Sequence, residues 1–231
     1  VTKTPVEAAR DLYELVDGNA RAARPTEPVP GATVSALCDA GLHALLVPNE
    51  VGGAEAPIVE CIDAVTEISR ADGSAGWCLM ANAATIAFFG AWAGDDFARE
   101  LFAHGIPLAA GQFAPNGVAS PADGGFRITG DYHFGSGINH SDWIGAGVLT
   151  AEDDSRLLMA LLPRAEVTVE DGWDVLGLEA TASWDYSIRD AWVSEGATFD
   201  FFAPVQRRGG PMYQLGVLGL TSAGHAGVAI G

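Results

Sequence analysis

The run Gly73-Ser74-Ala75-Gly76-Trp77-Cys78-Leu79-Met80-Ala81-Asn82-Ala83-Ala84-Thr85-Ile86-Ala87-Phe88-Phe89-Gly90-Ala91-Trp92-Ala93-Gly94 contains no charged side chain. By length it could cross a bilayer. Its flanks are Asp72 and Asp95-Asp96 rather than Lys or Arg, and Asn82 and Thr85 interrupt it, which is not how membrane spans are bordered. A helix buried on all sides in a globular core accounts for it better. The rest of the chain must supply the surfaces that cover it.

Upstream, Val6, Ala9, Leu12, Leu15 and Val16 recur at three- and four-residue steps, predicting one amphipathic helix that ends before the Pro25–Pro30 cluster. Thr33 is the expected cap of a second helix through Leu37 and Cys38, stopped at Gly41. Leu42 to Val47 leads into the breaker loop Pro48-Asn49-Glu50-Val51-Gly52-Gly53, and Ile58, Ile62, Val65 and Ile68 mark a third helix. Asp95 to His104 reads as one more, after the uncharged run.

Downstream the pattern changes to strands. Asp123-Gly124-Gly125 is a turn, and Gly130-Asp131 between Phe126–Thr129 and Tyr132–Phe134 suits a two-residue hairpin. Trp143–Thr150 and Leu157–Leu162 flank the polar turn Glu152-Asp153-Asp154-Ser155, with further strands at Val167–Val169 and Tyr186–Val193. Short strands with frequent turns predict an antiparallel barrel or sandwich. Met212 to Gly231 returns to apolar helical character. The expected class is α+β, with a helical N-terminal domain (1–106), an antiparallel β domain (107–205) and the first helix of a helical third domain (206–231).

Composition narrows the function. The 231 residues carry 12 Lys+Arg against 30 Asp+Glu, a formal net charge of −18. Nucleic-acid binding needs a basic footprint, and anionic lipid repels this charge. Neither a nucleic-acid partner nor a membrane is expected. Cys38, Cys61 and Cys78 are too few and odd in number for a disulfide framework and read as reduced core thiols. No Arg/Lys-led signal peptide opens the chain, and a cytoplasmic location is expected.

The run Gly130-Asp131-Tyr132-His133-Phe134-Gly135-Ser136-Gly137-Ile138-Asn139-His140 is the richest candidate site. It is neither a dinucleotide fingerprint nor a phosphate loop: His140 stands where a third Gly would be, and no Gly-Lys-Ser/Thr occurs. His133 and His140 lack further ligands at zinc spacing. Ser136 and Ser183 would be nucleophiles only with a His beside them.

The ordered set of motifs carries more than any member. Gly41-Leu42, Val47-Pro48 and Gly52-Gly53, then Ile68-Ser69-Arg70-Ala71-Asp72-Gly73-Ser74-Ala75-Gly76-Trp77, resemble the helical N-terminal domain of the acyl-CoA dehydrogenase superfamily. Phe113-Ala114-Pro115-Asn116-Gly117, Gly124 to Gly130, Phe134 to Trp143, and Leu176-Gly177-Leu178-Glu179-Ala180-Thr181-Ala182-Ser183 resemble its middle β domain. The pattern Ser136-Gly137-x-x-His140-x-x-Trp143 is most similar to the flavin-dependent hydroxylase branch, two-component monooxygenases served by a separate flavin reductase.

That resemblance implies a flavin, FAD or FMN, with Phe134 packing on the isoalloxazine, Ser136 near its N5 side and Gly135 between them among the cofactor-binding residues. Gln112, Phe113 and Ala114 would meet the pyrimidine edge through their backbone. Asn82 and Thr85 would line the substrate site, where the hydroxylases commonly carry a His. Glu179 and Ala182 stand where the family often has Arg and Gly. The family continues into a four-helix bundle that brings its catalytic base, and the chain is expected to hold only the start of that bundle, so the catalytic residue is unknown. Three readings follow: a monooxygenase acting on an aromatic or polycyclic substrate, an acyl-CoA dehydrogenase passing electrons to a carrier, or a non-catalytic truncated subunit. An oligomer formed through the C-terminal helix is expected.

Overall fold

The computed structural model describes residues 3–24, 26–151 and 155–231. Its helices are α1 (Pro5–Asp11), α2 (Tyr13–Ala22), α3 (Gly31–Asp39), α4 (Ile58–Ala71), α5 (Gly73–Trp92), α6 (Asp95–Leu101) and α7 (Gly216–Ile230). Its strands are β1 (Ala109–Ala122), β2 (Gly125–Gly135), β3 (Trp143–Thr150), β4 (Leu157–Pro163), β5 (Val167–Glu170), β6 (Trp184–Ser194) and β7 (Thr198–Asp200).

The uncharged run is α5, started by Asp72, whose carboxylate accepts the Ala75 N–H at 2.7 Å. Ile86, Ala87, Phe88 and Phe89 on consecutive positions are all buried, so every face of this helix is covered. Long and apolar enough to cross a membrane, it is instead buried within the protein as the axis of the helical core, with α3, α4, the segment 42–47, β1 and α7 around it.

Two details of the helical region depart from expectation. The single first helix is divided at Leu12, whose N–H bonds the Ala9 carbonyl, a tighter turn that bends one helical track into α1 and α2. Thr33 does not cap α3: Pro30 precedes the helix, and Thr33 sits inside it, buried, accepting a 3.1 Å bond from Asn19.

The strands form one seven-stranded sheet in the order β5-β6-β2-β1-β3-β4-β7. Antiparallel pairing is the rule, with one correction: β1 and β3 run parallel. After β2 the chain loops back through 136–142 and enters β3 on the far side of β1, which restores β1's direction. A second correction concerns Gly130-Asp131. These residues are not a turn, because β2 passes straight through them. Gly130 is required for close approach: a Cβ there would lie 2.7 Å from both Gly117 Cα and the Tyr132 hydroxyl. Of the turn expected at Glu152-Asp153-Asp154-Ser155, residues 152–154 lie outside the described residues.

Strand alternation joins the two cores. In β4, Leu158, Ala160 and Leu162 enter the apolar cluster of the sheet, while Met159 and Leu161 enter the helical one. A strand buried on both faces reads as a continuous apolar run, as Leu157–Leu162 does. β1 to β6 all contribute to the sheet's own cluster, so the sheet curves around it. α7 lies on α4 and α5, with Val217 and Leu220 in the helical core and the Thr66 hydroxyl bonded to the Gly227 carbonyl at 3.1 Å. Its other flank leaves Leu218 and Ile230 exposed.

Candidate functional site

At the end of β2 the backbone turns sharply. Phe134 has φ 62°, the left-handed region that L residues avoid, and the Ser136 N–H bonds back to its carbonyl at 2.8 Å. The effect is to lift the Phe134 ring out of the strand, leaving it 59% exposed. Trp173 stands edge-on to it, centroids 5.9 Å apart, and is held by its indole N–H on the Leu178 carbonyl at 3.1 Å. His133 is exposed beside it and pairs with Asp185 at 2.8 Å.

Beneath this ring lies a chain of hydroxyls. Ser136 Oγ accepts from Trp77 Nε1 at 2.9 Å and is 2.8 Å from Ser183 Oγ. Ser183 Oγ is 2.7 Å from Thr181 Oγ1, which donates to the Leu178 carbonyl at 2.8 Å. All three hydroxyl residues are buried. The condition set for Ser136 or Ser183 to act as a nucleophile, a His beside the hydroxyl, is not met: the two serines meet each other, and their other hydroxyl partners are Trp77 and Thr181. His140 is tied to the Val29 carbonyl at 2.8 Å instead.

Asn82 approaches from α5. Its Nδ2 donates to the Ser136 carbonyl at 3.2 Å, and Gly137 is bare where a Cβ would come within 2.8 Å of Asn82 Oδ1. Thr85 lies under the site rather than on it. Only 1% exposed, it donates its hydroxyl to the Ala81 carbonyl at 2.8 Å.

Gln112, Phe113 and Ala114 sit where β1 loses register with β3, at the bulges between Gln112 and Pro115 and between Pro115 and Gly117. Bulges re-aim a strand beside functional surfaces. The Gln112 N–H donates to the Tyr186 hydroxyl at 2.8 Å, and that hydroxyl donates to the Gly145 carbonyl at 2.7 Å. Burial raises the Tyr186 pKa well above its ordinary value, so it stays a neutral donor. Gln112 Oε1 accepts from Asn116 Nδ2 at 2.9 Å and the His133 N–H at 3.3 Å, binding the bulge to the end of β2. Phe113 turns its ring inward, 5.5 Å from Phe88, while Ala114 is exposed.

Three participants escaped the sequence reading as site residues: Trp77, Thr181 and His225. The first two stand in quoted motifs, but nothing in their spacing joins them to Ser136. His225 of α7 is edge-on to Trp77 at 5.2 Å, and its Nδ1 lies 2.7 Å from the Thr221 carbonyl. A carbonyl only accepts, so Nδ1 carries the proton. Among the described residues no three His, Cys, Asp or Glu side chains gather as for a metal. Cys61 and Cys78 are buried, and burial pushes both thiols up to about 12.

Residues 6–100 match the family described as acyl-CoA dehydrogenase, N-terminal domain. A pigment production hydroxylase of Rhodococcus sp. (strain ATCC 21145) is 35% identical over 99% of this chain and 62% of its own length. The oxygenase component of an FADH(2)-dependent resorcinol hydroxylase from Rhizobium sp. (strain MTP-10005) is 30% identical over 82% of this chain and 47% of its own. The structure of XiaF from Streptomyces sp. in complex with FADH2 and glycerol superposes with TM-score 0.77 at 26% identity, covering 85% of this chain and 50% of that one. Residues 6–100 thus carry an acyl-CoA dehydrogenase N-terminal domain, and the chain has the acyl-CoA dehydrogenase-like fold. These relatives are hydroxylases, and the chain spans about half the length of the curated relatives it matches.

Proposed function

We propose that this chain forms the helical and β portions of a flavin-dependent monooxygenase, an oxidoreductase that uses reduced flavin and O2 on a small aromatic or polycyclic substrate. The observation that carries the reading is the Phe134 ring, raised into the open on a left-handed backbone. Such strain persists where the surroundings enforce it, and it clusters at ligand sites. The hydroxylase relatives and the FADH2-bound neighbour support it.

The residues present fit a flavin. A fused tricyclic ring needs an apolar wall and polar atoms along one edge. Phe134 with Trp173 behind it gives the wall, the bulge at Gln112, Phe113 and Ala114 gives polar backbone for the pyrimidine edge, and Ser136 gives an oxygen on the N5 side. Bound reduced flavin supplies the electrons with which O2 places one oxygen atom on the substrate. The chain's own residues orient and shield: Phe134 holds one ring face, Gln112 keeps the bulge against β2, and Trp77, Asn82 and His225 bound the helical side where the substrate would enter.

The oxygenase-component relative supports a flavin reductase as partner. The exposed Leu218 and Ile230 on α7 are the surface through which copies would associate. Free cysteines support a cytoplasmic location.

Anaerobic titration with reduced FMN and reduced FAD tests the reading. Saturable binding that weakens at least tenfold in Phe134→Ala is expected. Bleaching of bound oxidised flavin by acyl-CoA would favour the dehydrogenase alternative. Failure to bind either flavin in any redox state would leave the non-catalytic subunit.

A further inference from the structure

We infer that Thr181 and Ser183 fix the Ser136 hydroxyl as a hydrogen-bond acceptor toward its ligand, so that the site discriminates reduced from oxidised flavin at N5. The inference rests on the flavin seat proposed above and names residues that set its selectivity.

The argument is a count of protons. The Leu178 carbonyl can only accept, so the single proton of Thr181 is committed to it. The Thr181–Ser183 contact at 2.7 Å must then use the proton of Ser183. The Ser183–Ser136 contact at 2.8 Å must use the proton of Ser136. At the far end the Trp77 indole can only donate, and it does so to Ser136. Four donors meet four contacts in one direction only.

Ser136 therefore has no proton to offer outward; its remaining capacity is a lone pair. Oxidised isoalloxazine presents a lone pair at N5, and two acceptors repel. The reduced ring presents an N–H there, and donor meets acceptor. Turning the Ser136 proton outward reverses Ser183 and Thr181 and breaks the Thr181–Leu178 bond. Burial of all three hydroxyls keeps water from replacing it. The preference is thus about one hydrogen bond, on the order of five- to tenfold in affinity.

Thr181 and Ser183 are positioning residues in this account: they act on the ligand through Ser136. Their removal has a signature that mere loosening of the fold lacks. In Ser183→Ala the Ser136 proton loses its inward acceptor and is free to face N5. In Thr181→Val the direction of Ser183 is no longer forced, with the same consequence. Thr181→Ser keeps the hydroxyl and should keep the preference.

The test is anaerobic equilibrium binding of oxidised and reduced FMN, and of both forms of FAD, to the full chain and these three variants. Circular dichroism verifies folding. The wild type and Thr181→Ser are expected to favour the reduced form. In Ser183→Ala and Thr181→Val the ratio should fall about five- to tenfold, chiefly because the oxidised form binds more tightly. A ratio unchanged in both variants, with flavin still bound, overturns the inference and leaves the flavin seat standing. No binding of either form to wild type overturns the seat and the inference together.

Discussion

Trp77 of α5 and Ser136 of the loop after β2 are joined by a 2.9 Å hydrogen bond across 59 positions of sequence. The bond ties the helical layer to the bend that presents Phe134. Trp77→Phe removes the donor together with the indole's second ring and should cost at least about 1 kcal/mol in chemical denaturation, the net worth of one such bond plus lost packing. Because Ser136 still donates to Ser183 in that variant, its preference between flavin redox states should not change. A variant that loses stability and selectivity together would show that the indole, not the hydroxyl chain, governs the site.

Ala182 and Phe134 both have left-handed φ, 41° and 62°, but for different reasons. Ala182 places a Cβ where none is needed. Ala182→Gly should raise stability by about 1 kcal/mol, read as a higher Tm with flavin binding unchanged. Phe134→Gly relieves similar strain while removing the wall, so stability should hold or rise as flavin affinity falls at least tenfold. Equal loss of both in Phe134→Gly would mean the ring serves the fold rather than a ligand.

The resemblance of position 182 to a family glycine was legible in the sequence, and the φ angle now gives its physical cause. α5 was legible too, because an uncharged run between aspartates has few alternatives. Gly130-Asp131 misled because turn-forming residues can also serve a strand that needs close approach, and only the neighbouring Tyr132 and Gly117 reveal that need. The parallel β1–β3 pair was hidden because strand direction depends on the path of a loop, which no hydrophobic period encodes. At the site, Phe134, Ser136 and Gln112 could be named from motifs. Their partners could not: Ser136 meets Ser183 47 positions away, and no periodic signal in an all-apolar helix marks how deeply Thr85 is buried.

Tyr186 and Tyr132 stack face to face at 4.8 Å, yet their hydroxyls carry unequal loads. Tyr186 serves two backbone groups, Gln112 N–H and Gly145 C=O, whereas Tyr132 reaches one, the Gly147 carbonyl at 3.3 Å. Tyr186→Phe strands a buried donor and should cost about 2–3 kcal/mol; Tyr132→Phe should cost about 1 kcal/mol or less. Urea titrations of the two variants give the comparison directly. Parity between them would remove Tyr186 as the anchor of the bulge.

The cysteines differ in access to their thiolates. Burial pushes Cys61 and Cys78 up to about 12, and Cys38, only half-buried, is raised less far. Since the thiolate is the reactive form, a thiol reagent at pH 8 should label Cys38 first and reach the other two only on unfolding. Mass spectrometry of partially labelled protein identifies the site. Early modification of Cys78, whose thiol donates to the Thr181 carbonyl at 3.8 Å, would mean that α5 is not sealed at that contact.

His43 provides the pH dependence. Burial lowers its pKa below the ordinary 6.5, with a smaller opposing effect from a backbone hydrogen bond at Ile106, and its Nδ1 has no partner. The folded state therefore binds its proton less readily than the unfolded chain does. Where the unfolded state binds more protons, stability rises with pH. The contribution of His43 is thus fully present above pH 6.5 and is lost as pH falls through the depressed folded value. The carboxylates with lowered pKa, Glu7 and Glu50, lose theirs in a separate and more acidic window. Denaturation midpoints at pH 7.5 and 5.5 should fall on acidification in the wild type and fall less in His43→Gln. A variant with an identical acid slope would assign that slope to other groups.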